Sequence, residues 1–516
     1  MTITLSVTLV NDAKKNGFDQ KVRVMPKRKN MTYSIRYQKT FRLSLVFTLG
    51  LFLNACASFQ QQGDYPAAPA LDKSMTRMAP TVDLSKYQSV QSPTGRPWQR
   101  DDMAVVVAAS GGGYRASNLA VGVLMGMEEY QHPALKGRLL DEVDYFSTVS
   151  GGGFGVGAYI ASLHRYLMLH PEATSLQDFS FSSIFQQSVS GDTPALRENA
   201  QRNTLNATNF ITRPRLTAEY TTEIIKNIFK AQLVAGVHRG EILEGQLEDD
   251  IFRPMAQDSE KVLTLGDLFV PADGDPKQVK MPYWITNATI FQNGAIFPFA
   301  PDILAKYKVI GYRYDQQNQK LQGNFNEPRF GYELPLVSGM RASANFPIAL
   351  PPTTFVSSGC EAACYLQLLD GGLTDNLGIN TALQLLEHDE APIKLLIIID
   401  AYRDNFNPYS QKGERPTNTD ILVRISDIGM DSSRNRMKPQ LPIIATELLC
   451  ARGAEKVLTV YLDIDNYPEA RAIQTSLDMT PEQQQLLLKI GKEVVEENRS
   501  KLDAFFSTNS GKCSIG

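Results

Sequence analysis

From residue 103 onward, short apolar runs alternate with segments whose apolar residues recur at helical spacing. Val105–Ala109 and Tyr145–Val149 are predicted strands, and Asn118–Tyr130 and Phe154–Leu169 are the predicted helices that follow them. Leu395–Asp400 is a further strand, apolar on both faces. Strands that alternate with helices are typical of a parallel sheet covered by helices. The pattern therefore predicts an α/β fold with a mostly parallel central sheet.

One long region interrupts this alternation. Residues 171–280 are polar, with helical patches such as Thr217–Phe229, and we predict a helical insertion or cap over the sheet. Strands return at Tyr283–Phe291, where the pair Asn293-Gly294 predicts a tight hairpin turn.

The core domain is predicted over residues 101–405, and residues 406–516 are predicted to be an α/β extension packed on it. This extension contains one more strand at 455–463 and a long charged helix over Pro481–Phe506. Thr480 is the expected N-cap of that helix.

The N-terminus carries the pattern of an export signal. Leu43–Leu53 is an uncharged apolar run behind a basic stretch, and it is shorter than the roughly 20 residues of a transmembrane helix. Leu53-Asn54-Ala55-Cys56 resembles a bacterial lipobox, in which the cysteine is diacylated and becomes the new N-terminus. We predict a signal peptide over residues 1–55, then a lipidated Cys56 and a flexible tether that together span 56–100.

Three details of this segment matter. Met25 and Met31 are alternative starts, because the stretch before Met31 is long for a signal peptide. The residue after the cysteine is Ala57 rather than Asp, which favours the outer membrane. An ordinary signal peptide with an incidental cysteine is the alternative.

Removal of the leader changes the charge of the chain. The full sequence has 52 Lys and Arg against 55 Asp and Glu, a net charge of −3. The first 55 residues hold ten of the basic and two of the acidic residues, so 42 basic and 53 acidic residues remain and the net charge is −11. A chain this acidic is a poor nucleic-acid binder.

Four cysteines remain after the leader: Cys360, Cys364, Cys450 and Cys513. An even number in an oxidising compartment permits two disulfides. Of the three possible pairings we predict Cys360–Cys364 and Cys450–Cys513, with four buried free thiols as the alternative.

Ser150 is the candidate nucleophile. It follows the strand Tyr145–Val149 and precedes Gly151-Gly152-Gly153, so the predicted strand turns sharply into a helix at this serine. Such a turn exposes a hydroxyl at the carboxyl edge of the sheet, as in the G-x-S-x-G nucleophile elbow. Thr148 stands where that motif has its first glycine. A glycine-rich turn with a structural serine is the alternative.

A second glycine-rich turn, Ser110-Gly111-Gly112-Gly113-Tyr114-Arg115, follows the first strand. Consecutive glycines can direct backbone N–H groups at an anion, and the start of a helix adds partial positive charge. The turn could bind a phosphate or a reaction oxyanion. It lacks the Gly-Lys-Ser/Thr of a P-loop. Arg115 is expected either to hold a phosphate or carboxylate or to pair with a surface acid.

The candidate base is Asp370, which ends the predicted strand Tyr365–Leu369 and precedes two glycines. It could accept the Ser150 proton directly, or it could cap a turn. Asp375 and Asp400 are competitors. His388 is the one histidine that follows Asp370 in the chain, at the end of a predicted helix beside two acids, and a Ser–His–Asp triad through it is the less economical alternative.

Taken together, these blocks resemble the patatin-like phospholipase family. The family order is a Ser-Gly-Gly-Gly-x-Arg turn, a strand–Ser–Gly turn about 35 residues later and an Asp-Gly-Gly motif far downstream. The first block is also similar to related cytosolic phospholipases, in which Ser likewise replaces the Asp of patatin. Further matching segments are Thr286–Thr289, Arg341–Pro347 and Asp370–Asn376. The resemblance covers roughly residues 103–405.

The resemblance implies a three-layer α/β/α fold and a role for each matched residue. Ser150 would be the nucleophile and Asp370 the base. The amides of Gly112 and Gly113, with Gly111 as a third candidate, would form the oxyanion hole, and Arg115 would orient the substrate phosphate.

The implied reaction is acyl transfer from a lipid ester to Ser150 and then hydrolysis, with no metal or organic cofactor. The expected partners are a phospholipid or lysophospholipid and the membrane that holds the lipid anchor. A catalytically silent lipoprotein that uses the same sheet as a binding scaffold is the alternative from another functional class.

Overall fold

The computed structural model describes residues 96–186, 239–255, 262–269, 281–311, 313–315, 320–322, 331–347, 350–357, 364–403, 418–507 and 511–513. All of them belong to one compact unit, Gly63–Gly516. The predicted signal peptide, Cys56, most of the tether, much of the 171–280 insertion and Cys360 lie outside the described residues, as does the helical patch Thr217–Phe229.

Nine of the strands in the described part of the chain form a single mixed sheet. The strands are β1 (Met103–Ala109), β2 (Tyr145–Val149), β3 (Tyr283–Ile290), β4 (Ile296–Pro298), β5 (Val309–Gly311), β6 (Arg313–Asp315), β7 (Lys320–Gln322), β8 (Thr353–Ser357), β9 (Cys364–Asp370), β10 (Ile393–Asp400) and β11 (Lys456–Asp463). The sheet order is β11-β10-β1-β2-β3-β9-β8-β5, with β4 paired to β3, while β6 and β7 form a separate ribbon.

The sheet has a parallel half and an antiparallel half. Strands β11, β10, β1, β2 and β3 are parallel neighbours, whereas β9 pairs antiparallel with both β3 and β8. Every residue of β1 and β2 is buried, as expected for a parallel sheet covered on both faces. The prediction of a mostly parallel sheet therefore describes one half, because apolar periodicity does not encode pairing direction.

The helices are α1 (Gly113–Glu129), α2 (Gly151–Leu169), α3 (Phe181–Gln186), α4 (Arg239–Leu247), α5 (Pro301–Lys306), α6 (Leu336–Ser343), α7 (Gly372–Asp375), α8 (Ile379–His388), α9 (Asn418–Met437), α10 (Leu441–Ala451), α11 (Pro468–Arg471), α12 (Pro481–Glu497) and α13 (Arg499–Ser507). Short 3-10 turns occur at Leu139–Glu142, Arg253–Met255 and Leu265–Asp267, and a π-helical turn at Glu248–Phe252. Helix α1 packs against both α2 and α12, and α8 packs against β1, β2 and β10. The predicted α/β fold is confirmed.

Helix α12 packs on α1 at very short range. A Cβ on Gly122 would lie 2.5 Å from the Leu488 carbonyl oxygen, and one on Gly491 would lie 2.5 Å from the backbone of Gly122. Any larger side chain at either position would force the helices apart, because nothing in this contact can move except backbone. The C-terminal region thus forms part of the same core, through α12 and through β11 at the sheet edge.

Two local predictions in the C-terminal region have clear outcomes. Thr480 caps α12 and accepts a hydrogen bond from the Gln483 amide at 3.3 Å. The single helix predicted over Pro481–Phe506 is wrong, since it breaks at Asn498 (φ −95°, ψ 2°) into α12 and α13. The Asn498 side chain donates to the Val494 carbonyl at 2.8 Å and so satisfies a carbonyl at the end of α12.

Cys450, in α10, and Cys513 form a disulfide with a Cα–Cα distance of 5.5 Å. This is the pairing that the sequence favours for these two residues. The partner pairing, Cys360–Cys364, cannot be compared, because Cys360 lies outside the described residues.

Candidate active site

Ser150 lies in the turn between β2 and α2, in a backbone conformation that side chains rarely adopt. Its φ is 48° and its ψ is −125°, which for a residue with a Cβ costs about 1–3 kcal/mol. A Cβ on Gly151 would overlap the Gly113 carbonyl oxygen, and one on Gly152 would lie 2.6 Å from the Ser110 carbonyl oxygen. The glycines after Ser150 therefore let α2 begin directly against the neighbouring turn.

Thr148, the departure from the elbow motif, has a packing role. It is buried, and its hydroxyl accepts a hydrogen bond from the indole N–H of Trp284 at 2.8 Å. A Cβ on Gly153 would lie 3.2 Å from that hydroxyl. Because Gly153 has no Cβ, the turn has room for the Thr148 side chain. The elbow motif provides this room differently, with a glycine in place of Thr148.

Asp370 ends β9 and faces Ser150. The Ser150 side chain lies close enough to lower the pKa of the Asp370 carboxyl group, and the Gly372 amide donates to Oδ1 of Asp370 at 2.8 Å. Burial raises the pKa of Asp370 to about 6, and both neighbours oppose that rise. At neutral pH the group is therefore largely a carboxylate, placed to accept a proton from the serine.

The turn between β1 and α1 lies beside Ser150. A Cβ on Gly111 would lie 3.3 Å from the Ser150 Cβ. The Gly111 amide donates to the Asn376 carbonyl at 3.0 Å, so its N–H does not reach an anion, contrary to the prediction for Gly111. Gly112 (φ 142°) and Gly113 (φ 59°) form the bend at the start of α1. Within the described residues, neither of their amides donates to a backbone acceptor, as is usual for the first N–H groups of a helix.

The family model for patatin-like phospholipase matches residues 107–383, more than half of the 516-residue chain. The chain belongs to the patatin-like phospholipase family. Membership supports a lipid acyl hydrolase activity for this chain. A search by sequence among curated proteins found none that matches.

Several solved structures resemble this patatin-like phospholipase at low sequence identity. VipD from Legionella pneumophila is 13% identical with a TM-score of 0.29, and the match covers 78% of this chain and 67% of VipD. Human GIVD cytosolic phospholipase A2, solved with a methyl gamma-linolenyl fluorophosphonate inhibitor and terbium chloride, is 13% identical with a TM-score of 0.33. That match covers 79% of this chain and 60% of the human chain. At these TM-scores the likenesses add nothing to the family assignment.

Arg115 of this patatin-like phospholipase lies beneath the first glycine turn rather than in open space. It is only 3% exposed. Its Nε donates to the Ala401 carbonyl at 2.9 Å and its Nη1 to the Ile473 carbonyl at 2.7 Å. Burial lowers the pKa of Arg115 to about 10, which leaves it charged at neutral pH. The contacts give Arg115 a structural task, and its phosphate-binding role stays a prediction.

The competing carboxylates have other partners. Asp375 accepts from the Leu377 amide at 3.2 Å and from the Asn380 amide at 2.8 Å, which forms the turn before α8. Asp400 pairs with Arg434 at 2.7 Å. Neither contacts Ser150 in the described structure, so Asp370 is the carboxylate that the fold brings to the serine.

His388 is exposed at the last position of α8. The first turn of that helix, at Gly378, contacts Ser147. The ten residues of α8, at about 1.5 Å per residue, place His388 roughly 15 Å farther along the helix. This geometry does not bring His388 to Ser150.

Sequence reasoning missed two residues that hold the site together. Ser343 accepts from the Ser150 amide at 2.9 Å, and the Asn345 carbonyl accepts from the Asp370 amide at 3.0 Å. Both lie in the Arg341–Pro347 segment that resembles the family, and that resemblance was the available signal. No helix in the described part of the chain is long and apolar enough to cross a membrane, and no cluster of three metal-ligating side chains occurs among the same residues.

Proposed function

We propose that this patatin-like phospholipase is a serine lipid acyl hydrolase of phospholipase A or lysophospholipase type. Ser150 is the nucleophile and Asp370 is the general base. The observation that carries the proposal is a serine at a strained strand–helix turn, next to a buried carboxylate whose pKa its side chain lowers and beside two amides without backbone acceptors. Nucleophile, base and anion site thus occupy one sheet edge.

The acylation step follows from this arrangement. Asp370 takes the hydroxyl proton as Ser150 Oγ bonds to the ester carbonyl carbon. The carbonyl oxygen becomes an oxyanion, which the Gly112 and Gly113 amides stabilise. The tetrahedral intermediate collapses, the ester C–O bond breaks, and the leaving alcohol takes the proton from Asp370.

Deacylation repeats the same steps with water. Asp370 accepts a proton from water as the water oxygen bonds to the acyl carbon, and the same amides stabilise the second oxyanion. Collapse breaks the bond to Ser150 Oγ, which regains its proton from Asp370, and a fatty acid leaves. A base with a pKa of about 6 is suited to both steps because it is ionised at neutral pH and is still basic enough to take a proton.

The test is hydrolysis of phospholipid and lysophospholipid by the full chain purified in detergent. Ser150→Ala and Asp370→Asn should each lower fatty acid release by roughly 10³-fold or more. Ser162→Ala is the matched control, since Ser162 is a buried serine of α2 whose hydroxyl donates to the Ala158 carbonyl at 2.7 Å. Undiminished activity in either of these two variants would overturn the assignment of Ser150 and Asp370 as the catalytic dyad.

The same assay separates the alternatives. Loss of activity in His388→Ala, with a normal melting temperature, would favour a Ser–His–Asp esterase. A folded wild-type chain that binds lipid vesicles and releases no fatty acid would favour a silent scaffold.

We further propose that the chain is exported and anchored through a diacylated Cys56, and that it is retained at the outer membrane. The lipobox pattern supports the anchor, and the Cys450–Cys513 disulfide supports an oxidising compartment. Expressed in a Gram-negative host, Cys56→Ser should move from the membrane fraction to the soluble fraction. A variant that stays in the membrane fraction would contradict the anchor.

A further inference from the structure

Ser343, the last residue of α6, joins the backbone of the nucleophile to β3 through its hydroxyl. It accepts a hydrogen bond from the Ser150 amide at 2.9 Å and donates one to the Asn287 carbonyl at 2.5 Å. The directions are fixed, because an amide N–H can only donate and a carbonyl can only accept. Ser343 is 1% exposed, so water cannot replace either partner.

The backbone around Ser343 holds the base. The Ser343 carbonyl accepts from the Gly371 amide at 3.1 Å, and the Asn345 carbonyl accepts from the Asp370 amide at 3.0 Å. Residues 343–345 therefore bind the backbone of the nucleophile on one side and the backbone of the base on the other.

The order of the strands explains why the contacts of Ser343 matter. Ser150 follows β2 and Asp370 ends β9, and β3 lies between these two strands. The ladder bonds of the sheet thus connect the two groups only through an intervening strand. The Ser343 hydroxyl reaches over β3, at the Asn287 carbonyl, to the amide of the strained Ser150.

We infer that Ser343 is a positioning residue that sets the alignment of Ser150 with Asp370. It contacts no reacting atom. It holds the Ser150 backbone at φ 48°, and that conformation directs the hydroxyl to the carboxylate. This inference rests on the proposed function, and it adds to that function the group that fixes the distance between nucleophile and base.

The loss of Ser343 has an expected kinetic signature. In Ser343→Ala the partly buried Ser150 amide loses its acceptor, and the turn relaxes. We expect kcat to fall about 10- to 100-fold, the size of effect that a small misplacement of a reacting group causes, with KM changed by at most about twofold.

The pH profile of kcat/KM distinguishes a positioning residue from one that only stabilises the fold, because loss of stability alone would not shift the profile. The neighbouring Ser150 side chain lowers the pKa of Asp370, so moving that side chain away should raise the pKa. The acid limb of kcat/KM should therefore shift to higher pH in Ser343→Ala. Ser343→Thr keeps the hydroxyl, so its kcat and the acid limb of its kcat/KM profile should match those of the wild type.

Ser338→Ala is the matched control. Ser338 is a buried serine of the same helix whose hydroxyl bonds to Glu244 rather than to the site. It should lower the melting temperature without shifting the acid limb. If Ser343→Ala does not fold, Ser343→Cys keeps the volume with a weaker acceptor and should give a smaller loss with the same direction of shift.

The inference is overturned if Ser343→Ala or Ser343→Cys folds and keeps the wild-type kcat and acid limb. It is also overturned if its loss of rate merely follows the loss of stability, as in Ser338→Ala. Ser150→Ala in the same assay separates the two proposals. If Ser150→Ala retains activity, the proposed function fails. If only Ser150→Ala is inactive, the positioning role alone fails.

Discussion

The chain contains the same tetrapeptide, Ser-Gly-Gly-Gly, at two neighbouring strand–helix junctions, and the two copies take different structures. At 150–153 the helix begins one residue after the serine, so Ser150 occupies the bend with φ 48°. At 110–113 the helix begins three residues after the serine, and the bend falls on Gly112 with φ 142°. The position of the helix start therefore decides which residue faces the site.

The two serines differ accordingly. Ser110 is 2% exposed, and its hydroxyl accepts from the Ala401 amide at 2.9 Å, which joins the first turn to the end of β10. Ser150 instead lies beside Asp370 and lowers the pKa of its carboxyl group. In the first copy the Gly112 and Gly113 amides have no backbone acceptor among the described residues, whereas in the second copy the serine side chain lies at the bend. Under the proposed mechanism, identical local sequence thus supplies an anion site at one junction and a nucleophile at the other.

The largest expected difference separates the two serines. Ser150→Ala should lower kcat/KM by roughly 10³-fold or more, as the loss of a nucleophile does. Ser110→Ala removes a buried hydrogen bond that stabilises the fold by about 1–3 kcal/mol and should lower the melting temperature instead. Initial rates of ester hydrolysis by the two variants test this prediction. Similar rates would contradict the different roles of the two serines.

Gly112 should show the next largest effect. An alanine there meets an unfavourable φ, and its Cβ would lie 3.2 Å from both the Ala116 Cβ and Nη2 of Arg115. The turn must shift, and misplacing an oxyanion donor costs about 10²–10³ in kcat. Gly245→Ala is the control because a Cβ there has no neighbour within 4 Å. A Gly112→Ala enzyme with normal kcat would argue that the anion site lies elsewhere.

A substitution of Arg115 tests whether this residue supports the first turn or contacts the substrate. Lysine cannot reproduce the paired hydrogen bonds of Nε and Nη1, so Arg115→Lys should loosen the turn and lower kcat about tenfold. A structural role predicts the same loss on a phospholipid and on an ester without phosphate. A loss confined to the phospholipid would restore the phosphate-binding prediction.

The two turns should also differ in their response to pH. The first turn bonds to the carbonyls of Asn376 and Ser476, which do not titrate, whereas Ser150 depends on Asp370. The pKa of Asp370 is raised to about 6, and its protonated form cannot accept the serine proton. We expect kcat/KM to be flat above about pH 7, to fall about fivefold between pH 6 and 5, and to fall about tenfold for each further unit. A profile that stays flat to pH 4 would exclude Asp370 as the base.

The smallest effect concerns the strain at Ser150. Ser150→Gly and Ser150→Ala both remove the hydroxyl and differ only in the Cβ at positive φ. Glycine should give a free energy of unfolding higher by about 1–2 kcal/mol. Denaturant unfolding of both inactive variants measures this difference, and equal stabilities would mean that the turn is unstrained.

The parts of this site that could be predicted from sequence were local. An apolar run followed by glycines predicts a strand–turn–helix junction, and so Ser150 and the first turn were found directly. Asp370 could be singled out from other Asp-Gly turns because the order of the blocks resembles a family. The tasks of Arg115 could not be predicted, because its carbonyl partners lie 286 and 358 residues away in sequence. The sequence also predicts an anion-binding amide at Gly111, which is wrong because that amide donates to the Asn376 carbonyl. Asn376 is far from Gly111 in sequence, so this contact could not be predicted.

The most direct measurement is the site of covalent modification by a fluorophosphonate. Ser150 Oγ should bond to phosphorus and displace fluoride while Asp370 takes the hydroxyl proton. Peptide mass spectrometry of the labelled full chain should then locate the adduct on Ser150, with none on Ser110 and none in Ser150→Ala. An adduct on another serine, or undiminished labelling in Ser150→Ala, would contradict the account.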